Sequence, residues 1–416
     1  MNRIYTFGWR NALLYSTLLL CSTLLSAQTD SSFVQRLTAD TIPNKMNMDA
    51  VYDRPFLQMG KMPVMLGGYV EANTDYRSEN GISEGLSFQL PRLTIFISSP
   101  LGRRIKFLSE IELEEGGWEI NIEFASLDIQ LHPALNLRGG VVMNPIGAFN
   151  QNHDGPKWDF IERPISATQM LPATWSNVGF GIHGKLHSGL LSWGYEAYVT
   201  NGFDESIINN SENRTFLPAS KANTERFNES FNGQPLYTLK TSLRHLRIGE
   251  IGISWMGGVY NRFQQDGLRL DAKRSLHAFA IDFNTAIQRT GAKITGEWAW
   301  VLVDVPDLYS QQFGERQQGG FVDVIQPVFR GRVLDWNKAA LHLACRLEYV
   351  DWNVGTFRET GGGIGDEVKA IVPGIAFRPT AQTVIRANYR YEWRKDILGN
   401  PPAKVAAWQF GISSYF

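Results

Sequence analysis

The sequence predicts an all-β protein, a transmembrane antiparallel β-barrel of about 16 strands with short periplasmic turns and long outer loops. Three observations predict it. Segments of alternating polarity recur along the chain, short and long connections between them also alternate, and the last strand is rich in aromatics. The composition of the 416 residues agrees. With 43% hydrophobic and 19% charged residues, disorder is excluded, and 40 basic against 41 acidic side chains leave no bulk positive charge for a nucleic-acid partner.

Taken in chain order, residues 1–27 read as a cleaved signal peptide. Arg3 and Arg10 supply the positive start, Ala12 to Leu25 the apolar run, and Leu25-Ser26-Ala27 a small-residue cleavage site before Gln28. The address is export through the inner membrane to the bacterial outer membrane. Cys21 does not make a lipoprotein signal, because Leu20 fills the position before it where a small residue belongs. Cleavage leaves Cys345 as the remaining thiol, which excludes an intramolecular disulfide. Residues 28–63, with Met46, Met48, Met59 and Met62 among polar neighbours, lack a convincing strand and read as a periplasmic lead-in, either a plug or a disordered terminus.

Residues 64–416 read as the barrel. No run of 18 apolar residues occurs there, which excludes a helical membrane protein, whereas a mean hydropathy of −0.21 suits strands that are apolar on one face only. In Gly68 to Tyr76 the residues Tyr69, Glu71, Asn73 and Asp75 share a face; in Arg104 to Glu114 the charged Arg104, Lys106, Glu110, Glu112 and Glu114 oppose Ile105, Phe107, Ile111 and Leu113. Ala339 to Asp351 sets Leu341, Leu343, Cys345, Leu347 and Tyr349 against His342, Arg346 and Glu348. Thr383 to Arg394 sets Ile385, Ala387, Tyr389, Tyr391 and Trp393 against Arg386, Asn388, Arg390, Glu392 and Arg394. A period of two is a strand wet on one side. Read throughout, the pattern places strand starts near residues 64, 84, 104, 120, 135, 175, 191, 236, 248, 276, 292, 318, 339, 368, 383 and 404.

Connections at Ser99 to Arg103, His132 to Ala134, His187 to Leu190, Arg289 to Gly291 and Pro379 to Gln382 are short. Those at Asn144 to Thr174, Asn201 to Pro235, Asn261 to Ser275, Asp304 to Gln317 and Asp351 to Asp366 are long and polar. Such alternation is the mark of an outer-membrane barrel. The first two outer loops are short for their class, and the turn expected at Arg330 to Lys338 is long for its own. At the C-terminus Trp408, Phe410, Ile412 and Phe416 share a face, an ending that resembles the assembly signal of bacterial outer-membrane barrels.

The run Phe124 to Gly147, with Arg138 and Asn144-Pro145, followed by Trp158-Asp-Phe-Ile-Glu162-Arg163-Pro164, resembles the phosphate-selective porin O and P family. Further fragments lie at Tyr195 to Gly202, Gly296-Glu297-Trp298 and Arg346 to Asp351. The resemblance implies a 16-stranded barrel, often a homotrimer, that passes small hydrophilic solutes passively, with anions or phosphate preferred in the best-known members. It also implies that the loop after the fifth strand, 144–174, folds inward as a constriction. No cofactor or metal is implied.

On this reading the pore is lined by Arg104, Lys106, Arg138, Arg346, Arg386, Arg390 and Arg394, accompanied by carboxylates that include Glu71, Glu110, Asp128, Asp282, Glu297, Asp323, Glu348 and Glu392. Arg386, Arg390 and Arg394 stand roughly 13 Å apart along one strand, either as rungs of an anion path or each paired with a carboxylate such as Glu392. The constriction charges are His153, Asp154, Lys157, Asp159, Glu162 and Arg163; the alternative is a surface loop packed by Trp158 and Phe160. Glu110, Glu112, Glu114 and Glu115 read as a solvated acidic face, with calcium binding the less favoured option. Gly179-Phe-Gly181-Ile-His-Gly184 matches a dinucleotide fingerprint but lies within an alternating strand, and His183 and His187 are too far apart on a strand to share an ion. No H-E-x-x-H occurs, and Gly81-Ile-Ser83-Glu-Gly85, which spells G-x-S-x-G, lies between two expected strands and not at a strand-to-helix turn, so the expectation is a channel and not an enzyme. The alternative is a non-conducting barrel acting as a surface adhesin, through Asn201 to Pro235, or as a rim enzyme.

Overall fold

A sheet with one apolar and one charged face can close on itself so that the charged face lines the interior and no strand edge is left unpaired. The computed structural model describes residues 34–37, 45–212, 214–306, 314–357 and 360–416; the expected signal peptide, with Cys21, lies outside them. Sixteen strands form the barrel: β1 (Met65–Glu79), β2 (Ile82–Pro100), β3 (Ile105–Glu114), β4 (Glu119–His132), β5 (Leu135–Met143), β6 (Ser176–Ser188), β7 (Leu191–Asn201) and β8 (Pro235–His245), then β9 (Gly249–Val259), β10 (Ser275–Ala286), β11 (Lys293–Val303), β12 (Arg316–Val333), β13 (Trp336–Asp351), β14 (Glu367–Thr380), β15 (Thr383–Lys395) and β16 (Ala403–Tyr415). Each pairs antiparallel with the next, and β16 closes on β1 from Tyr415 opposite Tyr69 to Val405 opposite Glu79. All sixteen expected starts fall within three residues of these.

The short outer connections follow from their glycines. Asn80 and Gly81 turn β1 into β2 with φ of 50° and 87°, a pair of left-handed residues that matches the twist of a tight hairpin. The long turn expected at Arg330 to Lys338 is corrected: only Leu334 and Asp335 lie between β12 and β13. Pro327 and Gly331, which read as turn residues, are instead absorbed at two irregularities of the ladder, between Pro327 and Phe329 and between Gly331 and Val333. The fingerprint glycines sit inside β6. A side chain at Gly181 would come within 2.2 Å of the Ala197 carbonyl, so close packing explains them.

The faces are sorted as the period requires. On β15, Arg386, Asn388, Arg390 and Glu392 are buried inside, while Tyr389, Tyr391 and Trp393 join Trp408 of β16 in an external aromatic cluster, Tyr389 and Trp408 at 4.7 Å. Leu343 and Leu347 of β13 stand outward, 48% and 54% exposed. Phe416 donates its N–H to the Gly68 carbonyl and lays its ring where a side chain on Gly68 would be, which seals the end of the chain against β1. At the loop end the β7–β8 connection, with a short helix at Leu217–Ala222, buries Phe203, Ile207 and Leu217 beside Met170, Trp175 and Trp352, capping the interior with an apolar layer.

Replacing Leu343 by Arg puts a charge on the external face at a cost of about 2 to 4 kcal/mol near the bilayer midplane. The expected outcome is a reduced folding yield into lipid vesicles, read by heat-dependent gel mobility. A normal yield would mean that this face of β13 does not meet lipid.

Candidate functional site

The interior is polar, and its arrangement starts from the segment 144–174. Asn150 ties the segment's two ends together, its amide donating to the carbonyls of Asn144 and Trp175 at 2.6 and 3.0 Å while its oxygen accepts the Trp175 N–H at 2.7 Å. Next to it, Gly147 takes φ of 62°, a left-handed turn that aims the N–H groups of Ala148 and Phe149 at the Glu297 carboxylate of β11, 2.8 and 3.2 Å away. A side chain on Gly147 would collide with that carboxylate. Lys240 of β8 donates to the Gly147 carbonyl and pairs with Asp282 at 2.9 Å.

The segment then crosses to the opposite wall. Asp159 accepts from Arg378 of β14 at 2.8 Å and bonds His342 of β13 at 2.9 Å. Ile161 donates its N–H to Asn388, while the carbonyls of Phe160 and Glu162 accept from Arg386 and Arg346. Anchored on β8–β11 and on β13–β15, the segment lies inside the barrel. Trp158 and Phe160 pack there too, Trp158 against Phe149 at 4.9 Å and Phe160 beneath the Arg346 guanidinium at 4.3 Å.

Wall arginines are paired. Arg386 meets Glu71 at 2.6 Å, Arg346 meets Asp323 at 2.6 Å, and Arg138 meets Asp128 at 2.7 Å and Tyr198 at 2.9 Å. Arg390 bonds Glu348 at 2.5 Å and Glu162 at 3.1 Å, and shares Glu392 with Arg394. Of the two readings of these rungs, the geometry is that of pairs. Arg163 lies 3.5 Å from Glu112. The acidic face expected to be solvated is corrected at two positions: Glu110 and Glu112 are fully buried, facing Arg54 and Arg92. Such burial requires cations, because a lone carboxylate inside a packed lumen is expensive. Arg104 and Lys106 differ, having no carboxylate within 4 Å among the described residues. Both line a cavity of about 610 Å³ at the turn end, where Lys106 lies over the Tyr52 ring at 4.7 Å. A second cavity, of about 540 Å³, opens at the loop end beside Gln169, Trp352 and Arg394.

Sequence reasoning left the lead-in open between a plug and a disordered terminus and found no strand in it; Val34–Leu37 and Phe56–Met59 pair there, the second also with the start of β1. Residues 45–56 enter the turn end of the barrel, where Val51 and Phe56 pack with Tyr69, Phe96, Leu108 and Tyr415. Arg54, its side chain wholly buried, grips Asp154 with two nitrogens at 2.5 and 2.9 Å and Glu110 at 2.9 Å, its guanidinium 4.1 Å from the Phe96 ring centre. Lys157 reaches the Ala50 carbonyl at 2.9 Å and Asp154 at 3.1 Å, and Tyr415 donates to Asp154 at 2.6 Å. Asn47 bonds Glu250 and Asp282, and Lys185 pairs with Asp49. Burial by itself would raise the Asp154 carboxyl; Arg54, then Lys157, overrides it and holds that carboxyl well below the ordinary carboxylate range. Its contribution to stability is therefore fully present above the ordinary carboxylate pKa and is lost only as pH falls through the lowered one. The one hint of Arg54 in the sequence is an excess of inward carboxylates such as Glu110 over cations on the neighbouring strands.

No family model matches the chain. An uncharacterized protein of Aquifex aeolicus (strain VF5) is 27% identical to it, over 84% of this chain and 80% of that one. Among solved structures, Pseudomonas putida OprB at high pH is similar with a TM-score of 0.54 at 10% identity, over 84% of this chain and 93% of that one. An anion-selective porin from Comamonas acidovorans is similar with a TM-score of 0.52 at 13% identity (85% and 99% covered). So is Salmonella typhi OmpF in complex with daunomycin, with a TM-score of 0.52 at 12% identity (85% and 97% covered). The shared property is the fold, a closed antiparallel β-barrel.

Replacing Asp154 by Ala leaves the Arg54 guanidinium buried without its main partner, at an expected cost of about 3 to 5 kcal/mol. The triple variant Arg54→Met, Glu110→Gln, Asp154→Leu, which removes all three buried charges together, is expected to recover much of that loss. Urea unfolding in lipid vesicles, followed by tryptophan emission, compares the two.

Proposed function

We propose that this chain is an outer-membrane channel through which small hydrophilic solutes diffuse passively, with loop 144–174 as its constriction and residues 45–59 as a second narrowing at the turn end. One observation carries the reading: charged and amide side chains face inward from both walls, and the loop is bonded across them instead of lying on the surface. A wall of this kind replaces part of a solute's hydration, and its opposed charges set a transverse field. The two cavities, on either side of the loop, are its vestibules.

Preference for anions, phosphate among them, is the finer reading. The rungs Arg386, Arg390 and Arg394 support it little, since each is neutralised by a carboxylate. Arg104 and Lys106 support it better, being cations without acidic partners at the turn-side mouth. A homotrimer, if formed, would use the outer surface of β2 and β4, where Phe88, Ile120 and the adjoining Trp118 are 76%, 67% and 93% exposed.

Planar-bilayer recording tests the channel. The mature chain is expected to conduct weakly, and a variant lacking residues 28–59 to conduct at least twice as well, because a wider aqueous path carries more current. Silence from both folded proteins would defeat the reading and favour a non-conducting barrel. In a salt gradient, Arg104→Gln with Lys106→Gln is expected to move the reversal potential toward cations; an unchanged value would remove the turn-side mouth as the selective element.

A further inference from the structure

Outside the lumen, three neighbouring hairpins at the turn end form a ledge. The turns joining β8 to β9, β10 to β11 and β12 to β13 belong to consecutive pairs of the barrel and are tied to one another near their tips. Gln288 donates to the Arg247 carbonyl at 3.5 Å, Gln326 donates to the Thr290 carbonyl at 3.1 Å, and Thr285 donates to the Ile248 carbonyl. These bonds hold the side chains of the three turns in one strip.

That strip carries charge of one sign. Arg247 and Arg289 in the turns, and Arg332 and Lys338 beside the third, are all exposed; the acidic residues over the same span are Asp335 and Glu250, and Glu250 is buried where it bonds Asn47 of the lead-in. Among the described residues Arg247, Arg289 and Lys338 have no carboxylate within 4 Å. Arg332 approaches Asp335 at 3.8 Å, but with the two side chains 69% and 104% exposed such a contact is worth little. Ordinary surfaces mix signs, as the β7–β8 loop does by setting Glu205, Glu212 and Glu225 beside Arg214, Lys221 and Arg226.

Between the cations stand apolar side chains that water would not favour: Ile248 at 67%, Leu334 at 76%, and Ile287 and Leu246 at 45% and 43%. A free anion would satisfy the cations alone, and a neutral bilayer the apolar groups alone. A ligand with a phosphate next to hydrocarbon satisfies both. We propose that this ledge binds the headgroups of anionic phospholipids in the leaflet that the turns meet, with the phosphate on Arg247, Arg289, Arg332 and Lys338 and the acyl chains on Ile248, Ile287 and Leu334.

The inference does not depend on conduction, and its test reads lipid directly. The refolded mature protein in detergent is mixed with cardiolipin or with phosphatidylcholine, and retained lipid is measured by native mass spectrometry. Cardiolipin should be retained preferentially. Each cation near an anionic headgroup contributes about fivefold in affinity, so Arg247→Ser, Arg289→Ser, Lys338→Ser together should lower cardiolipin retention on the order of a hundredfold. Arg247→Lys, Arg289→Lys, which keeps the charges, should retain it. Heat-dependent gel mobility confirms that each variant is a closed barrel. Equal retention of the two lipids, or cardiolipin retention unchanged in the serine variant, would overturn the proposal. So would complete displacement of cardiolipin by millimolar inorganic phosphate, which would mark the ledge as a free-anion site.

Discussion

A guanidinium removed from water survives only where carboxylates and ring faces replace the solvent, and the interior of this barrel is organised around that constraint. Arg54 meets it with Asp154, Glu110 and the Phe96 ring. Three separate pieces of chain come together in that cluster: the lead-in supplies the cation, the loop after β5 one acid, and the wall of β3 the other. Lys157 adds a bond from the loop to the Ala50 carbonyl, so the two inserted segments hold each other as well as the wall. Without Arg54, Glu110 and Asp154 would be like charges in a packed lumen.

The same logic explains why the wall arginines are not free. Loop 144–174 fills the middle of the lumen with backbone, which removes the water that would otherwise screen Arg346, Arg386 and Arg390. Each then takes a carboxylate from a wall strand, and in two cases a loop carbonyl as well. Paired charges still make a polar path, but they do not make a strongly anion-attracting one. Unpaired cations are kept where water remains, at the turn-side mouth and on the external ledge. Charge is thus divided by hydration: in the filled middle each cation is paired, and at the water-exposed ends cations stand without carboxylate partners among the described residues.

The outward face answers to a different solvent. Lipid cannot hydrogen-bond, so the strands close edge to edge and turn Leu343, Leu347 and Trp408 outward, leaving no unpaired edge in the hydrocarbon. Where the sheet leaves the bilayer at β8 to β13 the rule relaxes, and arginine can stand beside isoleucine. That mixture is the physical signature of an interface between hydrocarbon and charged headgroups.

By itself the sequence determined the barrel, the strand starts and the sorting of faces, because a period of two is local: Arg386 and Tyr389 point to opposite sides whatever lies around them. It also marked 144–174 as an unusual segment through its length and prolines. It misplaced the turn after β12, since Pro327 and Gly331 interrupt a ladder as readily as they end a strand, and it read Glu110 and Glu112 as solvated. What only the tertiary structure decided is which charges meet. Arg54 and Asp154 are 100 residues apart, and Arg386 and Glu71 are 315 apart, with no periodicity joining either pair. Closure of the barrel and insertion of two segments bring them together, and the selection between partners is made by desolvation, a property of the packed interior that no stretch of sequence carries alone.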